Sequence, residues 1–254
     1  MIFIISSAKT LNLNLESDTA KYSSYSYFLE KFHYIRKYLS ILNLEEIKNS
    51  MNLSYKLAEL NFNRFQNFHK ASEFPAMFLY QGDVYKNLNP SSLNDSEIDF
   101  LQQRLRIISA LYGMVKPLDK ILQYRLEMST KFNDKNFVKL DQYWSSKVTS
   151  QINLELGSHK EKYLINLASQ EYSKVIDTKL LKYPMVNIEF RQKIGDKVKN
   201  IGLYAKKARG LMLRYFAKEK VDKLEKIKNF STLGFLFDPE SSNGYNFYFV
   251  KNID

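Results

Sequence analysis

Three compact apolar runs, at residues 2–5, 76–80 and 163–167, each give way at once to a small polar loop. Runs this short, rich in β-branched and aromatic residues, read as buried strands. Helical stretches separate them. One covers residues 24–40, with Phe28, Phe32, Ile35 and Leu39 at helical spacing, and a second runs from about 50 to 68. A third, from 95 to about 109, would bury Ile98, Leu101, Leu105 and Ile108; Asn94 and Glu97 form its capping box. A fourth, about 141–156, carries Trp144 and is stopped by Gly157. Later, residues 186–194 and 197–204 flank a Gly195-Asp196 hairpin turn. A basic helical region then runs to about Lys228, and residues 235–250 read as short strands. Strands alternating with helices, followed by a hairpin, predict an α/β fold with a mixed central sheet covered by helices. No linker or internal repeat interrupts it, so residues 1–254 are expected to form one domain.

The chain has no cysteine, which excludes disulfides, thiolate metal sites, Fe–S clusters bound by this chain and cysteine nucleophiles. His33, His69 and His159 are scattered without metal-ligand spacing, so no metal or cofactor is expected. The apolar run at the start is too short for a signal peptide, and no stretch approaches a membrane span. The expected compartment is the cytoplasm.

Charge narrows the partners. Lys plus Arg is 38 against 27 Asp plus Glu, a net of +11, which attracts polyanions. Residues 206–228 hold nine basic and three acidic residues. Glu219, Asp222 and Glu225 balance the second half as a solvated face. Lys206, Lys207, Arg209 and Arg214 remain as candidates for neutralising phosphates. Residues 105–118 read as helix, Gly-containing turn and Pro-started helix. This is either an ordinary helix–helix corner or a helix-hairpin-helix element, in which Tyr112, Gly113 and Lys116 would meet a DNA backbone without reading bases.

A second set of residues suits different chemistry. Lys9 and Asp83 lie on loops after apolar runs, as do Asn166, Ser169, Glu171 and Tyr172. Arg125 and Glu127 share one face if residues 124–128 are a strand. Should these loops converge, Lys9 and Arg125 could hold a small anion while Asp83 or Glu127 acts as acid or base. Two classes therefore stay open: a protein that binds DNA through its backbone, and an enzyme acting on a nucleobase, nucleotide or similar small anion. No Gly-rich phosphate loop of known spacing is present.

The segments Ser6-Ser7-Ala8-Lys9-Thr10-Leu11, Gly82-Asp83-Val84-Tyr85, Leu111-Tyr112-Gly113, Lys116-Pro117-Leu118-Asp119, Tyr124-Arg125-Leu126-Glu127-Met128, Asn166-Leu167-Ala168-Ser169, Glu171-Tyr172 and Tyr204-Ala205-Lys206-Lys207-Ala208-Arg209-Gly210 together resemble the YaaA peroxide stress resistance family. The resemblance runs in order along nearly the whole chain. It implies a role in hydrogen peroxide resistance, a limit on iron-driven DNA damage, a cytosolic location, a basic cleft, a helix-hairpin-helix element and DNA binding. Two positions depart from the pattern: Ser7 stands where the family has Pro, and Ala110 where a first hairpin Gly is expected. Any iron site would have only carboxylates to draw on, so storage or tight chelation is not expected.

Overall fold

A computed structural model describes residues 1–15, 24–133, 139–195 and 197–253. At its centre is β1 (Ile2–Ser6), whose first four residues are fully buried. β1 pairs in parallel with β3 (Leu105–Ser109) on one side and β6 (Leu164–Asn166) on the other. A strand covered on both edges and both faces needs the unbroken apolar run seen here. Beyond β6 follow β7 (Met185–Ile194) and β10 (Asn246–Ile253), each parallel to its neighbour. Three short strands fold back antiparallel: β4 (Gly113–Val115) on β3, β8 (Lys197–Lys199) on β7, and β9 (Leu236–Phe237) on β10. Among the described residues this makes an eight-stranded mixed sheet. A second, two-stranded sheet pairs β2 (Glu73–Pro75) with β5 (Lys120–Leu122).

Helices flank the sheet, as expected. They are α1 (Leu29–Ile41), α2 (Leu44–Met51), α3 (Tyr55–Gln66), α4 (Ala76–Leu79), α5 (Asp83–Leu88), α6 (Asp95–Arg104), α7 (Leu140–Ser158), α8 (Gln170–Ser173), α9 (Gly202–Lys218) and α10 (Leu224–Ile227). The Asn94–Glu97 capping box forms at the start of α6. Phe3 of β1 packs against Phe216 of α9 and Phe100 of α6, with ring centroids 4.7 and 6.2 Å away. The hairpin joining β7 and β8 is present; Asp196 of its turn lies outside the described residues. No helix among the described residues is long and apolar enough to cross a membrane.

Several local expectations are corrected. The helix expected to reach residue 109 ends at Arg104, and Leu105–Ser109 is strand. Helical spacing persists there by coincidence, but β1 offers a parallel ladder that a helix could not use. Ile107, Ile108 and Ser109 then pair with Val115, Met114 and Gly113, so residues 105–115 form a β-hairpin and not a helix-hairpin-helix. Pro117 starts no helix but leads into β5. Residues 76–79 form the one-turn helix α4, whose first amides bond to the carbonyls of Asp119 and Pro117. Residues 124–128 belong to no strand.

Gly113 is fixed by packing. Its φ is +73°, and a Cβ there would stand 2.5 Å from the Trp144 ring. The indole Nε1 donates to the Ala110 carbonyl at 2.8 Å and so closes the turn.

Candidate functional site

β1 and β6 are parallel neighbours, so the loops leaving their C-terminal ends meet, which is where such sheets place ligands. The Ser169 amide donates to Ser6 Oγ at 2.9 Å, and the two hydroxyls are 3.2 Å apart. The segment after α4 joins them through backbone bonds from Asn12 to Leu79 and from Gln81 to Thr10. Gly82 lets this segment lie against the first loop, since a Cβ at 82 would be 3.1 Å from Ala8 Cβ. Tyr85 then donates to the Ser6 carbonyl at 2.9 Å. A fourth wall is α9. It crosses α5 at Gly210, where a Cβ would fall 2.1 Å from the Val84 carbonyl oxygen. Only a glycine permits that approach, and it carries Lys206 and Arg209 to Asp83.

The result is a cavity of about 420 Å³, within the range of small-molecule sites. Its charged lining is Lys9, Lys206 and Arg209 against Asp83 and Glu171. Ser7, Thr10, Ser169 and Tyr172 supply hydroxyls. Burial pushes the Tyr172 phenol well above its ordinary range, so it remains a neutral hydrogen-bonding group, and the Ser7 hydroxyl is one of its partners. Behind Ser7, Tyr124 bonds to Tyr80 and to Ser109, each at 2.7 Å, in a fully buried hydroxyl network.

Two features define the electrostatics. At the rim, Lys9 Nζ lies 2.5 Å from Glu127 Oε2, while Arg125 Nη2 lies 3.2 Å from Glu127 Oε1. One carboxylate thus holds two cations. Inside, Arg209 forms no hydrogen bond or ion pair with a described residue, and its Nε is buried without a partner. Burial lowers its pKa, against the opposing pull of Glu189. Glu189 is itself bonded to Arg191. Asp83 sits in the first turn of α5, and Glu171 accepts the Ser129 amide at 3.0 Å.

Lys9, Asp83, Lys206 and Arg209 are therefore brought together, with Arg125 and Glu127 on the rim. The remaining candidates lie elsewhere. Tyr112 and Gly113 are buried, so the turn presents no amide to a duplex; the Tyr112 hydroxyl instead accepts the Leu122 amide. Lys116 lies over the Tyr27 ring at 4.5 Å. Lys207 lies 6.0 Å from the Tyr204 ring, outside the cavity lining. Arg214 Nη1 donates to the Leu88 and Asn89 carbonyls and to Ser92 Oγ, tying down the end of α5. Sequence reasoning missed the Tyr80–Tyr124–Ser109 network, because these residues meet only through the tertiary fold. It also missed Ser6 as the tie between loops. No group of three or more His, Cys, Asp or Glu side chains that could hold a metal ion occurs among the described residues.

The model of the family described as peroxide stress protein YaaA matches residues 1–241. The chain belongs to this family. Similar full-length proteins include a UPF0246 protein of Legionella pneumophila (strain Lens), 41% identical over 256 residues and covering 99% of both chains. A UPF0246 protein of Rickettsia bellii (strain OSU 85-389) is 41% identical over 254 residues, covering 99% of this chain and 100% of its own. One of Rickettsia felis is 42% identical over 251 residues with the same coverage. Of the segments that carry the YaaA resemblance, the first loop, the Gly82 loop, the Ser169–Tyr172 stretch and α9 all line the cavity.

Proposed function

We propose that this peroxide stress protein binds a small nucleotide-like anion in the cavity and performs acid–base chemistry on it. Arg209 carries the proposal. A mostly buried guanidinium that no described carboxylate pairs with is costly to keep, and an anionic ligand removes that cost. Arg209 and Lys206 would take the anionic group, with Lys9 at the mouth. Asp83 is the candidate acid or base, because Glu127 is already engaged by two cations and Glu171 by an amide. A cavity of about 420 Å³ suits one nucleotide, free or turned out of a strand, better than a duplex.

A second role, in DNA binding, is favoured by one observation. Lys206 is exposed on α9, and the wholly exposed β8 a few residues before that helix carries Lys197 and Lys199. Exposed cations of this kind would follow a phosphate backbone and give salt-sensitive affinity. In either role the outcome for the cell would be less iron-driven DNA damage under peroxide. The test is to replace Asp83 and Lys207 separately with Ala, then measure peroxide survival and DNA affinity. Loss of survival in Asp83→Ala with DNA affinity intact supports the cavity. Full survival in Asp83→Ala, with loss in Lys207→Ala that follows DNA affinity, sinks it.

A further inference from the structure

A second polar groove lies apart from the cavity and shares none of its described lining residues. It consists of two adjoining hollows of about 470 and 560 Å³, joined through Arg36, Phe68 and His69. α1 forms one wall. His33, Arg36, Lys37 and Ser40 fall at i, i+3, i+4 and i+7, a single stripe, while Phe32, Ile35 and Leu39 form a separate buried stripe. The end of α3 closes one side, where Gln66 Nε2 donates to the Ser40 carbonyl at 2.7 Å. Buried Phe65 and Phe68 lie beneath. The β2–β5 pair forms the far wall, with Lys120 opposite Pro75 and with Glu73 as the carboxylate of the lining.

The charge is one-sided. Arg36, Lys37 and Lys120, with His33 and His69, face Glu73, the one acid of the described lining. None of the three cations forms an ion pair with a described residue, although Arg36 is half-buried. Like charges on one helix stripe repel, so α1 would be more stable with a neutral or mixed face. We propose that this groove is a second anion site, built for a multiply charged phosphate compound whose phosphates span both hollows. One phosphate would meet only part of the lining, whereas a linear polyphosphate reaches from Lys37 past Arg36 to Lys120. The planar Arg fork and the imidazole N–H groups match phosphoryl oxygens. The same chemistry could come from inorganic polyphosphate or from the phosphodiesters of a single strand.

The experiment is calorimetric titration of the full chain with inorganic tripolyphosphate, and with a twelve-residue oligothymidylate as competitor. R36Q/K37Q, on the polar stripe of α1, should weaken tripolyphosphate about tenfold or more, and Lys120→Gln, on the opposite wall, should weaken it less. Lys160→Gln, exposed and outside the lining of both sites, should change it by under twofold. Competition by the oligonucleotide that disappears in R36Q/K37Q assigns the phosphodiester source; no competition assigns the free phosphate chain. Either supports the site. Unchanged tripolyphosphate affinity in R36Q/K37Q, an equal loss in Lys160→Gln, or equally tight binding of polyglutamate overturns it.

Discussion

Gly210 on α9 stands so close to Val84 on α5 that its missing Cβ would lie 2.1 Å from the Val84 carbonyl oxygen. The same position would place Cβ 3.0 Å from Asn87 Cβ and the Leu88 amide nitrogen. Backbone occupies that space, so no side-chain rotation relieves it. Gly210→Ala should push the two helices apart and destabilise the protein by about 2 kcal/mol or more. Because those helices hold Lys206, Arg209 and Asp83, ligand affinity should fall with it. Thermal unfolding and nucleoside monophosphate titration of the variant check both effects; unchanged melting would refute the contact.

Arg209→Met should separate stability from function. It keeps a long apolar stem and removes a mostly buried charge that no described carboxylate pairs with. Melting should be unchanged or rise by about 2–4 °C, while nucleoside monophosphate binding is lost. A clear drop in melting temperature would mean that Arg209 is structural.

Glu127→Gln should act through Lys9. The substitution leaves two cations, Lys9 and Arg125, sharing a neutral amide. Lys9 should then lose its fixed place at the mouth, and nucleoside monophosphate affinity should fall about tenfold with little change in melting. Equal affinity in Glu127→Gln and wild type would remove Glu127 from the site.

His159 should set part of the acid sensitivity. Burial foremost, then the Met1 amino charge, Arg104 and Arg106, lower its imidazole to about 4, against the pull of Glu155. Its ordinary value is about 6.5. Between these values the unfolded chain takes up a proton that the native state refuses, so stability falls as pH drops from about 6.5 to about 4. His159→Gln should flatten that part of the profile. Urea midpoints at pH 7 and pH 5 make the comparison; an identical drop in both proteins would exclude His159.

Much of the fold is legible in sequence where signals are local. The capping box at Asn94 and Glu97 is one case. The strand at residues 2–5 is another, since four consecutive apolar β-formers suit little else. Residues 98–108 mislead because Ile98, Leu101, Leu105 and Ile108 keep a helical period across a helix–strand junction. What breaks the helix is the ladder offered by β1, a partner about 100 residues away in sequence. The short run 76–80 is equally ambiguous: apolar and buried, it becomes one helical turn because carbonyls of the 117–119 segment engage its first amides. In the site, Lys9, Asp83 and Lys206 stand out by charge and position. The engagement of Glu127 by two cations, and the lack of a partner for Arg209 among the described residues, depend on distances that no spacing rule encodes.

The packing of Trp144 over Gly113 also gives the protein its own gauge. The chain has one tryptophan, fully buried, its ring 5.6 Å from Phe28 and its Nε1 tied to Ala110. Intrinsic emission excited at the indole band therefore comes from one place, where α7 meets the β3–β4 turn. Loosening of that junction shifts the whole signal, with no second indole to blur it.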